Sequence, residues 1–351
     1  MQESIVELLR CPVTRNRLSL DIIKTTKKIL DNQEVEVIEE AVLYTDTWFY
    51  PVIKGIPRLH VEALIDYADF LKMVVPDYVK RWELLFSTNA VFFELQQRKN
   101  KRTRKSFTRE WALYDYEKDK TWNADTTGIL NRFMKETDET LDTLKHKIIF
   151  DAGCGNGVLN SLLAERGITN IAMDFSDSIE MAYSRNQYSK VHFIQGDIQL
   201  PPLVFNYFDI VHSSGVLIHT NNTELSFSCI EPAVKKGGKL SVWLYHHRND
   251  FIHNLFNSIR KITSRLPLKF QYYLYRCTIF PVSYCIKKIK GNPQNTSEMM
   301  IDILDWFTPA FRWEHDHEEV KTWFNKRNFS NTRITTDEVF GFNIIGEKQR
   351  F

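Results

Sequence analysis

An apolar run that ends in a carboxylate and three alternating glycines constrains the fold of this chain more than any other stretch. Residues 148–150 are Ile-Ile-Phe, Asp151 follows them, and glycines occupy positions 153, 155 and 157. Glycine lets the backbone turn sharply and approach a ligand where a Cβ atom would collide, and residues 158–166 have the pattern of a helix. The stretch therefore predicts a strand, a cofactor-binding turn and a helix that begins beside the ligand.

Two further apolar runs also end at carboxylates. Residues 169–173 lead to Asp174, and residues 191–196 lead to Asp197. In a parallel sheet these strand ends share one edge, which is where ligands bind. A carboxylate after the second strand can accept hydrogen bonds from both ribose hydroxyls, and one after the third can accept from an adenine amino group. A dinucleotide-dependent oxidoreductase is the alternative, but in its Gly-x-Gly-x-x-Gly fingerprint the third glycine comes one residue later.

A fourth motif follows and makes the pattern more specific. Residues 208–245 contain FDIVHSSGVLIHT and then AVKKGGKLSVWLY. With the three strand ends above, the chain resembles the class I S-adenosylmethionine-dependent methyltransferases, and among them the ubiquinone-biosynthesis-like branch, in which "GVLHHT" and "LKPGG" recur. Ile218 stands where that pattern has its first histidine and Lys236 where it has proline, while His219 is kept. The resemblance covers roughly residues 105–247.

The resemblance implies S-adenosylmethionine as the cofactor and assigns residues to it. Asp151 would orient the ammonium group, the glycines would lie against the amino acid portion, Asp174 would bind the ribose, and Asp197 with Ile198 would bind the adenine. The full set of implied cofactor-binding residues is Trp111, Asp151, Gly153, Gly155, Gly157, Asp174, Phe175, Asp197, Ile198 and Ser213. No metal site is predicted.

The acceptor side is less determined. His219 lies at the end of the fourth strand, and a neutral imidazole near pH 7 can take a proton as the nucleophile attacks. Tyr245 and His246, at the end of the fifth strand, are predicted to position the acceptor from the same edge. The alternative is that His219 has only a structural role. The sequence does not name the acceptor, so O, N and C acceptors stay open.

The order of the segments predicts an α/β fold, because strands alternate with helices. We expect a Rossmann-like, seven-stranded, mostly parallel sheet whose last strand is antiparallel, with a small N-terminal α+β domain and a helical lid insertion. The predicted domains are residues 1–60, a helical linker and cofactor-covering segment at 61–122, a methyltransferase core at 123–247 and 315–351, and the lid at 248–314.

The first 60 residues resemble the small zinc-ribbon-like domain of methyltransferase activators. Cys11-Pro12 and the ending YPVIKGIPRL carry the resemblance. Such domains often carry Cys-Pro-x-Cys, but Thr14 stands where the second cysteine would be, and four zinc ligands cannot be assembled. We therefore expect a packing or docking module without zinc. The five cysteines include no Cys-x-x-Cys pair, which indicates a reducing compartment.

Three polar stretches have both a functional and a plain interpretation. Residues 98–105 hold six cations and no acid, and we favour a solvated connector over an RNA contact. Residues 248–290 hold nine cations and one acid, and we favour a lid with solvent-facing cations over a site for an anionic substrate or a membrane surface. His315, Asp316 and His317 could be metal ligands, but acids in the first turn of a helix favour capping.

The function that these patterns favour is methyl transfer from S-adenosylmethionine to a small molecule, with an anionic acceptor as one option. The alternative is a macromolecular methyltransferase acting on RNA or protein, and the remote alternatives are an NAD(P)-dependent oxidoreductase and a non-catalytic cofactor-binding regulator. A net charge of +2 disfavours a nucleic-acid partner. With no apolar run of membrane-spanning length and no leader pattern, we expect a cytoplasmic chain without a membrane span. The oligomeric state is not predicted.

Overall fold

The computed structural model describes residues 1–112, 126–248 and 250–350. Within these ranges, the side chains of residues 101–103, 105, 106, 109–112 and 252 are outside the description. The predicted contact of Trp111 with the cofactor therefore falls outside the described residues.

The N-terminal segment is an antiparallel meander. Its elements are a 3-10 helix at Glu3–Leu8, β1 (Ser19–Leu30), β2 (Gln33–Tyr44), β3 (Phe49–Ile53) and β4 (Ile56–Leu59). Two of its turns consist of two residues with positive φ, Asp31-Asn32 between β1 and β2 and Lys54-Gly55 between β3 and β4. Such turns match the twist of paired strands, so the local sequence fixes the pairing of each hairpin.

Cys11, the cysteine that carries the zinc-ribbon resemblance, is part of the apolar core. Cys11 is fully buried, its Sγ lies 3.6 Å from the Tyr50 hydroxyl, and it accepts a hydrogen bond from the Thr14 amide at 3.4 Å. Among the residues that the structure describes, Cys11 belongs to no group of three or more metal-ligating side chains. The resemblance to a zinc-ribbon-like activator domain finds no support in this arrangement.

Residues 63–112 are helical and lead into the core. Their helices are α1 (Ala63–Asp66), α2 (Ala68–Val74) and α3 (Tyr78–Ala112). α3 is interrupted at Asn89, whose φ of −125° and ψ of 17° are not helical. Its second half carries the basic run to the carboxyl edge of the sheet, where Lys99 contacts Asp197.

The core alternates strands with helices as predicted. Its elements are α4 (Thr126–Thr137), α5 (Leu141–Leu144), β5 (Ile148–Ala152), α6 (Val158–Glu165), β6 (Thr169–Asp174), α7 (Ser178–Arg185), β7 (Val191–Gly196), β8 (Phe208–Ser214), α8 (Thr223–Ile230) and β9 (Val234–Tyr245), with short 3-10 helices at Leu217–His219 and Glu231–Ala233. After an insertion the chain ends with α13 (His317–Asn325), β10 (Phe329–Asp337) and β11 (Gly341–Lys348).

All of these strands form one sheet of eleven strands, in the order β1-β2-β3-β4-β7-β6-β5-β8-β9-β11-β10. Residues 148–348 contribute seven of these strands, β5–β11, and the N-terminal meander adds the other four. The two parts form one continuous sheet because β4 pairs in parallel with β7 through Arg58 opposite Gln195 and Leu59 opposite Gly196. Pairing is parallel from β4 to β9, and β11 is antiparallel to both β9 and β10. The class of the fold, α/β with a mixed sheet, agrees with the prediction.

Apolar side chains cover both faces of the central strands. Successive strand residues point to opposite faces, so Ile149 packs with Phe133 of α4 while Phe150 packs with Phe208 in another cluster. That second cluster also contains Trp48 of the N-terminal meander. The meander and the core therefore share one apolar interior.

The segment between β9 and α13 is helical. Its helices are α9 (Phe251–Thr263), α10 (Leu268–Cys277), α11 (Ile279–Ile289) and α12 (Thr296–Phe307). Tyr275 packs with Met300, Ile303, Leu304 and Phe307 in a small core of its own. In the described parts of the chain, no helix combines the length and apolar character needed to cross a membrane.

Candidate active site

A cleft opens at the carboxyl ends of β5, β6, β7 and β8. Its lining comes from the strand ends, from the basic half of α3 and from the end of the helical insertion. The lining residues are Lys99, Asn100, Arg104, Phe107, Gly153, Gly155, Met173, Asp174, Phe175, Ser176, Gly196, Asp197, Ile198, Gln199, Ser214, Gly215, Val216, His219, Thr220, Asn221, Asp305 and Phe311. Seven of the residues predicted for the site from the sequence are in this lining: Gly153, Gly155, Asp174, Phe175, Asp197, Ile198 and His219.

The glycine turn after β5 forms the floor of the cleft. Gly153 has a φ of +102°, and a Cβ atom there would overlap the side chain of Val216. Gly157 also has a positive φ, precedes α6 and does not line the cleft, and a Cβ atom there would lie 2.7 Å from the Ala182 Cβ. The turn is therefore closed to larger residues for two reasons, its left-handed backbone and its packing.

Asp174 lies at the end of β6 with both carboxylate oxygens held by the protein. Its Oδ2 accepts from the Gly155 amide at 2.8 Å, and its Oδ1 accepts from the Ser176 amide at 2.7 Å and the Ser176 hydroxyl at 2.6 Å. Burial raises the pKa of this carboxyl, although these hydrogen bonds favour the ionised form. The carboxylate is thus held in one orientation at the cleft wall, beside Phe175.

Asp197 at the end of β7 receives two side chains from α3. Its Oδ2 accepts from Lys99 Nζ at 2.9 Å and from Asn100 Nδ2 at 3.0 Å, while its Oδ1 accepts from the Gln199 amide at 2.8 Å. Farther along α3, Arg104 pairs with Asp177 at 2.7 Å. The interpretation of this basic run as a solvated connector is wrong for Lys99 and Arg104, because both cations turn inward to carboxylates at the edge of the sheet.

Asp151 lies behind the glycine turn and does not line the cleft. Its carboxylate accepts from Asn160 at 3.1 Å and lies 3.0 Å from His212 Nδ1, while His212 Nε2 lies 2.8 Å from Glu136. Burial lowers the pKa of His212, but its hydrogen bonds to Asp151 and Glu136 raise it to about 9. The sequence predicts that Asp151 binds the ammonium group of the cofactor. In the structure its carboxylate already contacts the buried imidazolium of His212. Ser213 likewise points away, donating to the Ala152 carbonyl at 2.8 Å.

His219 lines the cleft, as the sequence predicts. Its Nδ1 donates to the Phe311 carbonyl at 3.0 Å, so the lone pair of a neutral ring resides on Nε2. Burial lowers the pKa of this imidazole, which keeps it neutral near pH 7. Phe107 packs edge-on against the ring with centroids 5.2 Å apart.

Asp305 of α12 is the acidic neighbour of this histidine. Its Oδ1 lies 3.8 Å from His219 Nε2, and its Oδ2 accepts from the Tyr245 hydroxyl at 2.9 Å. Tyr245 is buried and does not line the cleft, so its predicted contact with the acceptor is replaced by a contact with Asp305. Sequence reasoning missed Asp305 because it is close to the sheet edge only through the packing of the insertion.

His246 lies outside the cleft, in a different group. Its Nε2 lies 2.6 Å from Asp337, and His317 Nε2 lies 3.8 Å from the same carboxylate. These three side chains are close enough to share a cation, a grouping that the sequence prediction of no metal did not foresee. Asp316, expected to cap α13, is its N-cap residue but makes no side-chain capping hydrogen bond.

The chain was compared with known proteins. Residues 150–242 match the family model described as a methyltransferase domain. The ubiquinone biosynthesis O-methyltransferase of Coxiella burnetii (strain RSA 493 / Nine Mile phase I) is 31% identical over 101 residues, which are 28% of this chain and 43% of that protein. The malonyl-[acyl-carrier protein] O-methyltransferase of Enterobacter lignolyticus (strain SCF1) is 35% identical over 66 residues, which are 19% of this chain and 26% of that protein.

Among solved structures, magnesium protoporphyrin IX methyltransferase from Synechocystis PCC 6803 with bound SAH is 15% identical, with a TM-score of 0.40 over 72% of this chain and 98% of that one. The chain matches less than half the length of the curated relatives. The matched segment, which extends from β5 to β9, agrees with the prediction of a methyltransferase core in this part of the chain. It includes the glycine turn, Asp174, Asp197 and His219.

Proposed function

We propose that the chain is an S-adenosylmethionine-dependent methyltransferase that acts on an oxygen nucleophile of a small molecule. The observation that carries the acceptor part is the fixed tautomer of His219, a residue of the cleft lining whose Nδ1 donates to a backbone carbonyl and whose Nε2 therefore keeps the lone pair. When bound, S-adenosylmethionine supplies an electrophilic methyl group attached to sulfur.

The residues of the cleft fit this cofactor. Gly153 and Gly155 line the cleft, and a Cβ atom at Gly153 would overlap Val216, which lines it as well. Asp174 accepts three hydrogen bonds from Gly155 and Ser176, which leaves one of its roughly four lone-pair sites to accept from a ribose hydroxyl. Ile198, next to Asp197, supplies an apolar surface for the adenine. These are the roles that the sequence assigns to them.

On the acceptor side, His219 would act as the general base. His219 Nε2 would accept the proton that the acceptor hydroxyl releases when its oxygen is methylated. Asp305, 3.8 Å away, would then stabilise the imidazolium that forms. Tyr245 holds that carboxylate in place through its hydroxyl.

A small acceptor fits this end of the cleft better than a macromolecule. Phe107 and Phe311 flank His219, and α12 covers it with Asp305. Lys99 and Arg104, two cations of the basic run that prompted the RNA alternative, are engaged with carboxylates. An anionic acceptor stays a prediction. The charged group nearest to His219 in the lining is the carboxylate of Asp305, which does not attract an anion.

His219→Asn tests this proposal, with His246→Asn as the matched histidine control outside the cleft. Calorimetry with S-adenosylmethionine should give the same affinity for the wild type and both variants. With a panel of hydroxylated small molecules and detection of transferred methyl groups, His219→Asn should lose about 10²- to 10⁴-fold in kcat, as expected for removal of a general base.

The two halves of the proposal fail differently in this experiment. A wild-type protein that does not bind S-adenosylmethionine contradicts the cofactor assignment. Normal binding with an unchanged rate for His219→Asn contradicts the role of the histidine and leaves the methyltransferase assignment intact.

A further inference from the structure

The helical insertion has an unusual charge. Over residues 251–290 the chain carries eight lysines and arginines and no aspartate or glutamate. Arg260 is buried, and Lys287 pairs with Asp302 at 2.7 Å. Within the described part of the chain, the following cations of this segment make no salt bridge: Lys261, Arg265, Lys269, Arg276 and Lys290.

The same helices expose apolar stripes at helical spacing. On α11, Val282, Ile286 and Ile289 are 60%, 49% and 86% exposed, and they follow one another at intervals of four and three residues. This spacing places them on one side of the helix. Every apolar residue of α11 is at least partly exposed. On α10, Phe270 and Tyr273 repeat the pattern with 56% and 64% exposure.

Apolar stripes and unpaired cations on the same two helices are the features of an interfacial helix. Such a helix buries its apolar side at the boundary of headgroups and acyl chains, while its cations meet anionic lipid headgroups. Single exposed apolar residues are ordinary on a protein surface, but solubility does not explain apolar stripes on a segment whose own 40 residues contain no acid.

We propose that α10 and α11 form a docking surface for an anionic lipid bilayer. The charge complementarity selects this occupant: 40 consecutive residues without an acid would repel cationic surfaces and attract a negatively charged one. The surface lies on the insertion that also supplies Asp305 to the cleft. The proposal does not depend on the proposed methyltransferase activity, because it requires only the exposed faces of these helices.

Vesicle sedimentation with the full chain tests the proposal. Vesicles of phosphatidylcholine alone are compared with vesicles containing 30 mol% phosphatidylglycerol, at about 0.1 M and about 0.5 M salt. We expect binding to the anionic vesicles only, and its loss at the higher salt concentration, where the Debye length falls to a few ångströms.

Two variants separate the charge from the apolar stripe. Lys269→Gln with Arg276→Gln should weaken binding to anionic vesicles about 30-fold, the factor that corresponds to about 2 kcal/mol for two surface cations. Val282→Ser with Ile286→Ser and Ile289→Ser should weaken it at least tenfold. Lys27→Gln with Lys145→Gln, which removes two exposed cations far from the insertion in sequence, is the control and should bind as the wild type does.

Three outcomes contradict the proposal. The first is no binding to anionic vesicles, and the second is equal binding by the wild type and the Lys269→Gln, Arg276→Gln variant. The third is self-association in light scattering that the α11 variant abolishes, which would make this surface an interface between copies of the chain. Thermal unfolding of every variant checks that it has folded. We expect each to fold, because the substituted residues are exposed.

Discussion

Replacement of His212 by glutamine is expected to remove a pH-dependent part of the stability of this protein. In the folded chain the imidazole lies between Asp151 and Glu136, and its pKa is about 9. An unperturbed histidine in the unfolded chain has a pKa of about 6.5. A difference of about 2.5 pKa units corresponds to about 3 kcal/mol of stabilisation when the imidazole is protonated in the folded state.

The sign follows from the raised pKa. A group whose pKa is higher in the folded state stabilises the protein fully below its unfolded pKa and loses that contribution as the pH rises through the folded value. The His212 contribution should therefore be complete near pH 6 and nearly absent at pH 9.5. Lys28 acts in the opposite direction, because burial lowers its pKa to about 8, but it is present in both proteins.

Urea unfolding of the wild type and His212→Gln at several pH values between 6 and 9.5 measures this contribution. The difference in the free energy of unfolding between the two proteins should shrink by about 3 kcal/mol over this range. His146→Gln, an exposed histidine, is the matched control and should show no such change. A difference that is constant with pH would show that His212 is neutral in the folded protein and would refute the imidazolium assignment.

Two substitutions test the cofactor half of the cleft. Asp174→Asn should weaken S-adenosylmethionine binding about 10- to 100-fold in calorimetry, because it replaces a carboxylate that accepts hydrogen bonds. Asp142→Asn, which changes an exposed carboxylate, is the control. Equal affinities of the two variants would contradict the ribose assignment. Gly153→Ala should lower the free energy of unfolding by about 2 kcal/mol or more through overlap with Val216. Gly167 also has a positive φ, but a Cβ atom there would meet open space, so Gly167→Ala should lower the free energy of unfolding by only about 1 kcal/mol. Equal losses in the two variants would contradict the packing argument.

The cofactor edge was predictable because its signals are local. Each apolar run and the carboxylate that ends it are adjacent in the sequence, so Asp174 and Asp197 could be placed at strand ends without any tertiary information. The final hairpin was predictable for the same reason, since β10 and β11 are separated by only a few residues. Such elements depend on neighbouring residues, which the sequence shows directly.

The parts that sequence reasoning missed depend on contacts between distant segments. Lys99 and Asp197 are 98 positions apart, and His219 and Asp305 are 86 positions apart. A cation run has the same composition whether its members face water or a carboxylate, so the inward orientation of Lys99 could not be read from it. For Asp151 the sequence motif predicted the position at the end of β5. It did not predict that the carboxylate would contact His212.

The parallel pairing of β4 with β7 also changes which strand faces other molecules. Without the meander, the apolar strand β7 would present unpaired backbone groups, which invites aggregation. With it, the outermost strand on that side is β1, which carries Lys24, Lys27 and Lys28 and has an irregular register near Lys24. Charged and irregular edges resist pairing with a second sheet. The N-terminal meander thus protects the protein against edge-to-edge aggregation, and its deletion would expose both the edge of β7 and the apolar interior that the meander shares with the core.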